Sequence, residues 1–157
     1  MNIFMVSIPH TGTNLLLNIL KATGLPDWTL AEPQEGIHHG HVMDAYLAER
    51  FDCPIVSPLR HPHVTEISWR KRDKDTTEMC EGFRVLANLD PIVVPVDSPQ
   101  RDKHLKDAGK KLKLELTSEW PVTNSIGNWA LIWRDITPSQ QVKELTDEIQ
   151  PFIQRYY

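Results

Sequence analysis

Cysteine is scarce in this chain. Cys53 and Cys80 are the only two among 157 residues, enough for one bridge at most, and neither stands in the paired spacing of a thiolate metal site. A disulfide-stapled scaffold is excluded, and both thiols are expected to be packing residues of a reduced, intracellular protein. Long apolar runs are missing as well: no stretch approaches the ~20 apolar residues of a membrane-spanning helix. The apolar opening, residues 1–6, has no basic flank and no small-residue cleavage site before Pro9 and His10. A first strand is therefore expected there rather than a signal peptide, and a cytoplasmic location with it. Positive charge is not in excess either. Seventeen Lys and Arg face 21 Asp and Glu, a net charge of −4, which argues against a broad nucleic-acid footprint because such binding displaces counterions through basic surface. Neither nucleic acid nor a membrane is an expected partner, and nothing here reads out an oligomeric state. The one concentrated basic run, Arg70-Lys71-Arg72 continuing to Lys74, is either a solvated helix end or the neighbour of an anionic ligand.

What is present is an ordinary globular composition, 40% hydrophobic and 24% charged, over a length that suits one domain spanning residues 1–157. Residues 2–8 form a continuous apolar run. Residues 13–23 carry Leu16, Leu17 and Leu20 at helical spacing before Gly24-Leu25-Pro26 ends the pattern. A connection over 26–36 leads to a short stretch, 37–42, and a helix is expected over about 43–51. The run 54–59 suits a strand buried on both faces, with Pro58 near its end. Helices are expected over about 63–74 and 77–88, a third strand over 91–96, and a charged helix over 99–112 introduced by Ser98-Pro99. Thr137-Pro138 predicts the cap and first residue of a closing helix whose apolar stripe is Val142, Leu145, Ile149, Phe152 and Ile153. Alternating strands and helices without repeats predict an α/β domain, three layers deep, with a mainly parallel sheet whose ligand lies at the carboxyl ends of the strands.

Chemistry concentrates first in the loop after the opening strand, Ser7-Ile8-Pro9-His10-Thr11-Gly12-Thr13-Asn14. A glycine there lets the backbone approach an oxyanion. The following helix offers free N–H groups and its positive dipole end, and the threonine hydroxyls add donors. The pattern is not that of nucleoside triphosphatases, since no Lys-Ser/Thr closes it. Taken alone, the same features describe a capped helix start.

Pro9-His10-Thr11-Gly12-Thr13-Asn14 resembles the 5′-phosphosulfate loop of sulfotransferases, commonly written Pro-Lys-Ser-Gly-Thr-Thr. A second segment is similar to that family's 3′-phosphate motif: a strand ending in Arg60, Pro62 two residues on, and Ser68 eight residues after the arginine. An Arg at a strand end and a Ser on the next helix can converge on one phosphate, the guanidinium as a planar fork and the serine as a hydroxyl. Further along, Gly127-Asn128-Trp129, the segment 133–138 and the aromatic Tyr156-Tyr157 are similar to the family's closing region. The resemblance implies a P-loop nucleoside triphosphate hydrolase-like fold. It implies a sulfotransferase that moves a sulfuryl group from 3′-phosphoadenosine 5′-phosphosulfate (PAPS) to a hydroxyl or amine on a small-molecule, glycan or peptide acceptor, with no metal. His10, Thr11, Gly12, Thr13, Asn14, Arg60 and Ser68 would hold the nucleotide.

The family's general base is a histidine between the two phosphate motifs, and His38, His39 and His41 occupy that interval. Alternation along a strand puts His39 and His41 on one face and His38 on the other. The resemblance of His39-Gly40-His41-Val42 to His-Thr-His-Leu favours His41 as base, with His39 second. Three near-adjacent histidines also fit a transition-metal site or an uninvolved exposed stretch. His61, His63 and His104 are expected at the surface.

The departures from the family pattern are His10 where Lys or Arg is usual, Asn14 for a hydroxyl, and Leu15 for the tryptophan that lies against adenine. The last leaves Trp69 or Trp129 for that task. Two other readings stay open: a kinase-like phosphotransferase using ATP and magnesium, for which Asp97 is the available carboxylate, and a non-catalytic nucleotide-binding domain.

Overall fold

The structure, a computed structural model, describes residues 1–28, 35–120, 123–124, 127–128 and 132–157. In chain order the elements are β1 (Asn2–Ser7), α1 (Thr13–Lys21), β2 (Asp27–Trp28) and β3 (Gly36–His41). A 3-10 segment (Val42–Leu47) runs into α2 (Ala48–Phe51), followed by β4 (Ile55–Leu59), α3 (Pro62–Arg70), α4 (Thr76–Leu89), β5 (Ile92–Pro95) and α5 (Arg101–Leu112). A small antiparallel pair, β6 (Thr123–Asn124) and β7 (Gly127–Asn128), precedes a second 3-10 segment (Ile132–Asp135), α6 (Gln140–Glu148) and α7 (Gln150–Ile153).

The main sheet has the order β2-β3-β1-β4-β5, and every pairing in it is parallel. β1 is central, with Ile3 to Val6 fully buried, because both of its faces are covered. Ile3 and Met5 meet Leu16, Ile19 and Leu20 of α1 and Leu105, Ala108 and Leu112 of α5 on one side. Phe4 and Val6 meet Val42, Met79, Phe83, Leu86, Val142 and Leu145 on the other. The protein is thus α/β, with helices on both faces of a parallel sheet. Each fully buried Leu, Ile or Phe contributes roughly 1.5–3 kcal/mol relative to exposure. The closing stripe 142, 145, 149, 152 and 153 is buried throughout, as its periodicity requires.

Three local expectations change. Residues 43–51 do not form one α-helix; the first half is 3-10, begun by a reciprocal cap in which His41 Nδ1 accepts the Met43 N–H (3.1 Å) and Asp44 accepts the His41 N–H (3.0 Å). The closing helix is capped by Ser139 rather than by Thr137-Pro138: its hydroxyl accepts the Val142 N–H at 3.3 Å. That helix also breaks at Ile149, because Pro151 has no N–H to continue the ladder and starts α7 instead.

Candidate functional site

The chain leaves β1 through α1 on one face to reach β3, then crosses the other face through residues 42–51 to reach β4. The crossover direction reverses between β1 and β4. A crevice opens at the carboxyl ends of two strands where such a reversal occurs, and it is the usual ligand position in an open α/β sheet. The loop after β1 and the segment after β4 border it, so both phosphate-type motifs of the sequence lie at the same edge.

The loop is built by two left-handed residues, His10 (φ 69°) and Gly12 (φ 103°), which fold it back beneath the start of α1. Gly12 is needed twice over: its φ disfavours a side chain, and a Cβ would stand 2.9 Å from Val96 Cγ1. Three ties hold the loop. Thr11, fully buried, donates its hydroxyl to Ile8 O at 2.7 Å. Thr13 donates to Ser7 Oγ at 3.0 Å, and Trp69 Nε1 donates to Pro9 O at 2.8 Å. The Thr11 hydroxyl is therefore a strut of the loop, and its one proton is already committed inside it. α1 has no side-chain cap and no acidic residue in its first turn, whereas α4 has the Asp75 cap and Glu78. Its N-terminal N–H groups keep their dipole uncompensated by side chains.

Arg60 follows β4 directly and is 8% exposed. Burial lowers its pKa and the neighbouring Asp97 raises it. Ser68 is buried in the last turn of α3 and its carbonyl accepts from Arg72 Nη1 at 3.0 Å. His10 is brought near three cations: its pKa is lowered first by burial, then by the charges of Arg72, Lys74 and Arg60. The His10 imidazole is thus neutral near pH 7.

β3 pairs with β1 so that His39 faces Met5 and His41 faces Ser7 across the ladder. His38 is fully buried, and His39 and His41 lie half-buried on the other face, as alternation predicts. His41 Nδ1 accepts the Met43 N–H, so in the neutral ring Nε2 holds the hydrogen and can only donate. His39 Nε2 lies 3.0 Å from Asp27 Oδ1, close enough for an ion pair but without the angle of a hydrogen bond. Asp27 is anchored in turn by Lys21 Nζ at 3.3 Å. Nothing in the sequence pointed to Asp27, since a two-residue strand leaves no periodic signature.

His61 was expected at the surface, and the structure corrects this: it is 2% exposed, stacked on Trp133 (4.3 Å between centroids) and edge-on to Tyr157 (5.0 Å). Burial and then the neighbouring His63 push its pKa down to about 3. His63 and His104 are partly buried. Asp97 is fully buried and accepts the Tyr157 hydroxyl and, on both oxygens, the His61 backbone N–H. Burial pushes its pKa up to about 6 against those hydrogen bonds and the Arg60 charge. A carboxylate so enclosed presents no free oxygen to a metal ion, and among the described residues no three His, Cys, Asp or Glu converge as a metal site. Trp69 is 2% exposed with its N–H on Pro9, so it supports the loop from beneath and offers no open face to a base. Trp129 lies outside the described residues. Cys80 is in the core, Cys53 packs against it, and both are free. No helix among the described residues is long and apolar enough to cross a membrane.

No protein-family model matches the chain, and neither a curated protein nor a solved structure matches it. Function must then be read from the residues and their geometry.

Proposed function

We propose that this domain is a P-loop-like nucleotide-binding sulfotransferase that takes PAPS and sulfates a hydroxyl or amine acceptor. The observation that carries the proposal is the meeting of the two motifs at one crevice: the glycine loop at the end of β1 and Arg60 at the end of β4, adjacent strands on either side of the crossover reversal. The loop and the first turn of α1 would hold the 5′ end, Arg60 and Ser68 the 3′-phosphate.

PAPS as substrate supplies the sulfuryl group and leaves as adenosine 3′,5′-bisphosphate. As the acceptor oxygen or nitrogen bonds to sulfur, the bond from sulfur to the 5′-phosphate oxygen breaks with its electron pair on that oxygen. His41 Nδ1 is committed to the Met43 N–H, so His39, beside the Asp27 carboxylate, takes the acceptor's proton. His41 Nε2–H stands two residues nearer the loop along β3 and donates a hydrogen bond to the transferring group. The Met43 N–H on His41 Nδ1 favours His39 as base over the His41 suggested by motif likeness. The ties of Thr11, Thr13 and Trp69 keep the loop rigid during transfer.

A second reading, a nucleotide-binding domain without catalysis, is favoured by one observation, the neutral His10 in place of a loop cation. Titration calorimetry with adenosine 3′,5′-bisphosphate, AMP and ATP with magnesium tests the site, and transfer of labelled sulfate from PAPS tests the enzyme. The bisphosphate should bind more tightly than AMP, and Arg60→Ala should remove that preference. Equal losses for both ligands would make Arg60 structural, and binding of ATP with magnesium alone would replace the proposal by the kinase-like reading.

A further inference from the structure

The basic run at the end of α3 does not fray into solvent. Asp73 takes a left-handed turn (φ 50°), and behind it the Asp73 N–H bonds Arg70 O (3.1 Å) and the Lys74 N–H bonds Trp69 O (3.1 Å). This is the helix-ending arrangement in which one left-handed residue returns the chain across the last turn. It lays Lys74 Nζ 5.3 Å from the centroid of the Trp69 ring. The same indole donates to Pro9 O in the loop, and its ring centre is 6.5 Å from that of His10. Trp69 is thus the post between loop and basic run.

The cations of the run are not equivalent. Arg70 is engaged by the buried Glu66 at 2.8 Å. Arg72 and Lys74 have no carboxylate within 4 Å among the described residues, although Asp73 and Asp75 are their sequence neighbours. Asp75 instead caps α4 through the Thr77 N–H at 2.8 Å. Arg72 is steadied by one donor to Ser68 O, leaving most of its five-donor fork for other acceptors. Arg72 and Lys74 stand near enough to His10 that their charges, after burial, hold its pKa down. Two cations without carboxylates beside the loop leave charge and donors for an anion.

We propose that Arg72 and Lys74 bind the anionic group seated on the loop at 8–12, supplying from the end of α3 the positive charge that His10 does not bring. This rests on the nucleotide-binding reading above and adds two residues to it. Lys74 serves as a point charge and Arg72 as a directional fork on phosphate or sulfate oxygens. Both act on the 5′ end, whereas Arg60 and Ser68 act on the 3′ end.

Calorimetry with adenosine 3′,5′-bisphosphate, at low and at physiological salt, tests this with Arg72→Ala, Lys74→Ala, the double variant and Lys111→Ala. Lys111 removes the same charge in the last turn of α5, which runs back to the opposite end of the sheet. Each single variant should weaken binding about tenfold, corresponding to loss of one charge-assisted contact. The double variant should lose more and show a weaker salt dependence, with Lys111→Ala unchanged. Arg72→Lys should recover part of the loss. Because Arg72 and Lys74 are exposed, thermal midpoints without ligand should stay within a degree or two of the parent's. If the parent binds and the double variant binds equally well, the role of Arg72 and Lys74 is overturned while the nucleotide reading stands. Equal weakening by Lys111→Ala would also overturn it, as an effect of net charge. A parent that binds no bisphosphate overturns both.

Discussion

The carboxylate of Asp97 receives the backbone N–H of His61 on both oxygens, at 3.2 and 3.0 Å, joining the ends of β5 and β4 across 36 residues of sequence. Arg60, adjacent to His61, sits in the field of this carboxylate. The buried acid thus fixes the backbone just after the arginine and places a negative charge near it.

The pair makes stability depend on pH in opposing ways. Asp97, with a folded pKa raised to about 6 from 3.8, binds its proton more readily folded than unfolded, so its contribution improves as pH falls through about 6 to 4. His61, lowered from 6.5 to about 3, binds its proton less readily folded, so its contribution is lost as pH falls below 6.5. Between about pH 6 and 4 the two contributions nearly cancel, so the histidine's loss is uncompensated only from 6.5 to 6 and below about 4. Thermal melts should show a nearly level midpoint between pH 6 and 4 in the parent, and in His61→Asn one that rises as pH falls over that range. The same profile in both would refute the assignment.

Gly12→Ala and Gly24→Ala separate strain from contact. Both positions have positive φ, 103° and 88°, but a Cβ at Gly24 meets nothing within 4 Å while at Gly12 it collides with Val96. Gly24→Ala should cost about 1 kcal/mol, as a left-handed alanine does. Gly12→Ala should cost about 2–3 kcal/mol, since overpacking adds to the strain. It should also abolish nucleotide binding. Chemical denaturation of the two variants makes the comparison, and equal costs would remove the Val96 contact from the account.

The different surroundings of the two histidines predict a hierarchy in turnover. His39→Ala should lower kcat by roughly 10²–10⁴-fold, the usual range for a general base. Asp27→Asn removes the charge beside the His39 ring, and about a tenfold loss is expected. His41→Ala should cost less than His39→Ala. Steady-state rates with saturating PAPS decide it, and a larger loss at His41 would return the base to that residue.

Trp69→Phe removes the indole N–H from Pro9 O while keeping most of the packing. A loss of about 1 kcal/mol in stability is expected from the missing hydrogen bond. If the bond holds the loop in its binding shape, nucleotide affinity should fall with it. Stability lost with affinity unchanged would confine Trp69 to packing.

Both thiols should resist modification. Burial pushes Cys53 and Cys80 up to about 11, with Asp52 adding to the effect at Cys53, so the reactive thiolate is scarce at pH 8. A thiol-titrating disulfide reagent should react slowly with the folded protein and with two equivalents after denaturation. Rapid reaction of either thiol in the native state would contradict this.

Much of the scaffold was legible because its signals are local and periodic. The apolar run of β1, the leucines of α1, the stripe from Val142 to Ile153 and the left-handed Gly12 all declare themselves within a few residues. Boundaries were less so. Residues 42–47 tighten into 3-10 because His41 and Asp44 cap each other, and Ser139 displaces Thr137 as cap because its own N–H is held by the buried Glu66 at 3.0 Å.

The sequence by itself determined a parallel α/β domain, a glycine loop after the first strand and an arginine at the end of β4, since strand and helix periods and turn chemistry are short-range. Only the tertiary structure decided that His41 Nδ1 accepts the Met43 N–H, that His61 is core, that Asp97 is closed off by Tyr157, and that Lys74 returns to Trp69 beneath the loop. The contacts that set these, such as Trp69 to Pro9 across 60 positions, join residues far apart in the chain. Burial and proton placement depend on which distant groups the fold brings together, and no period in the sequence encodes that.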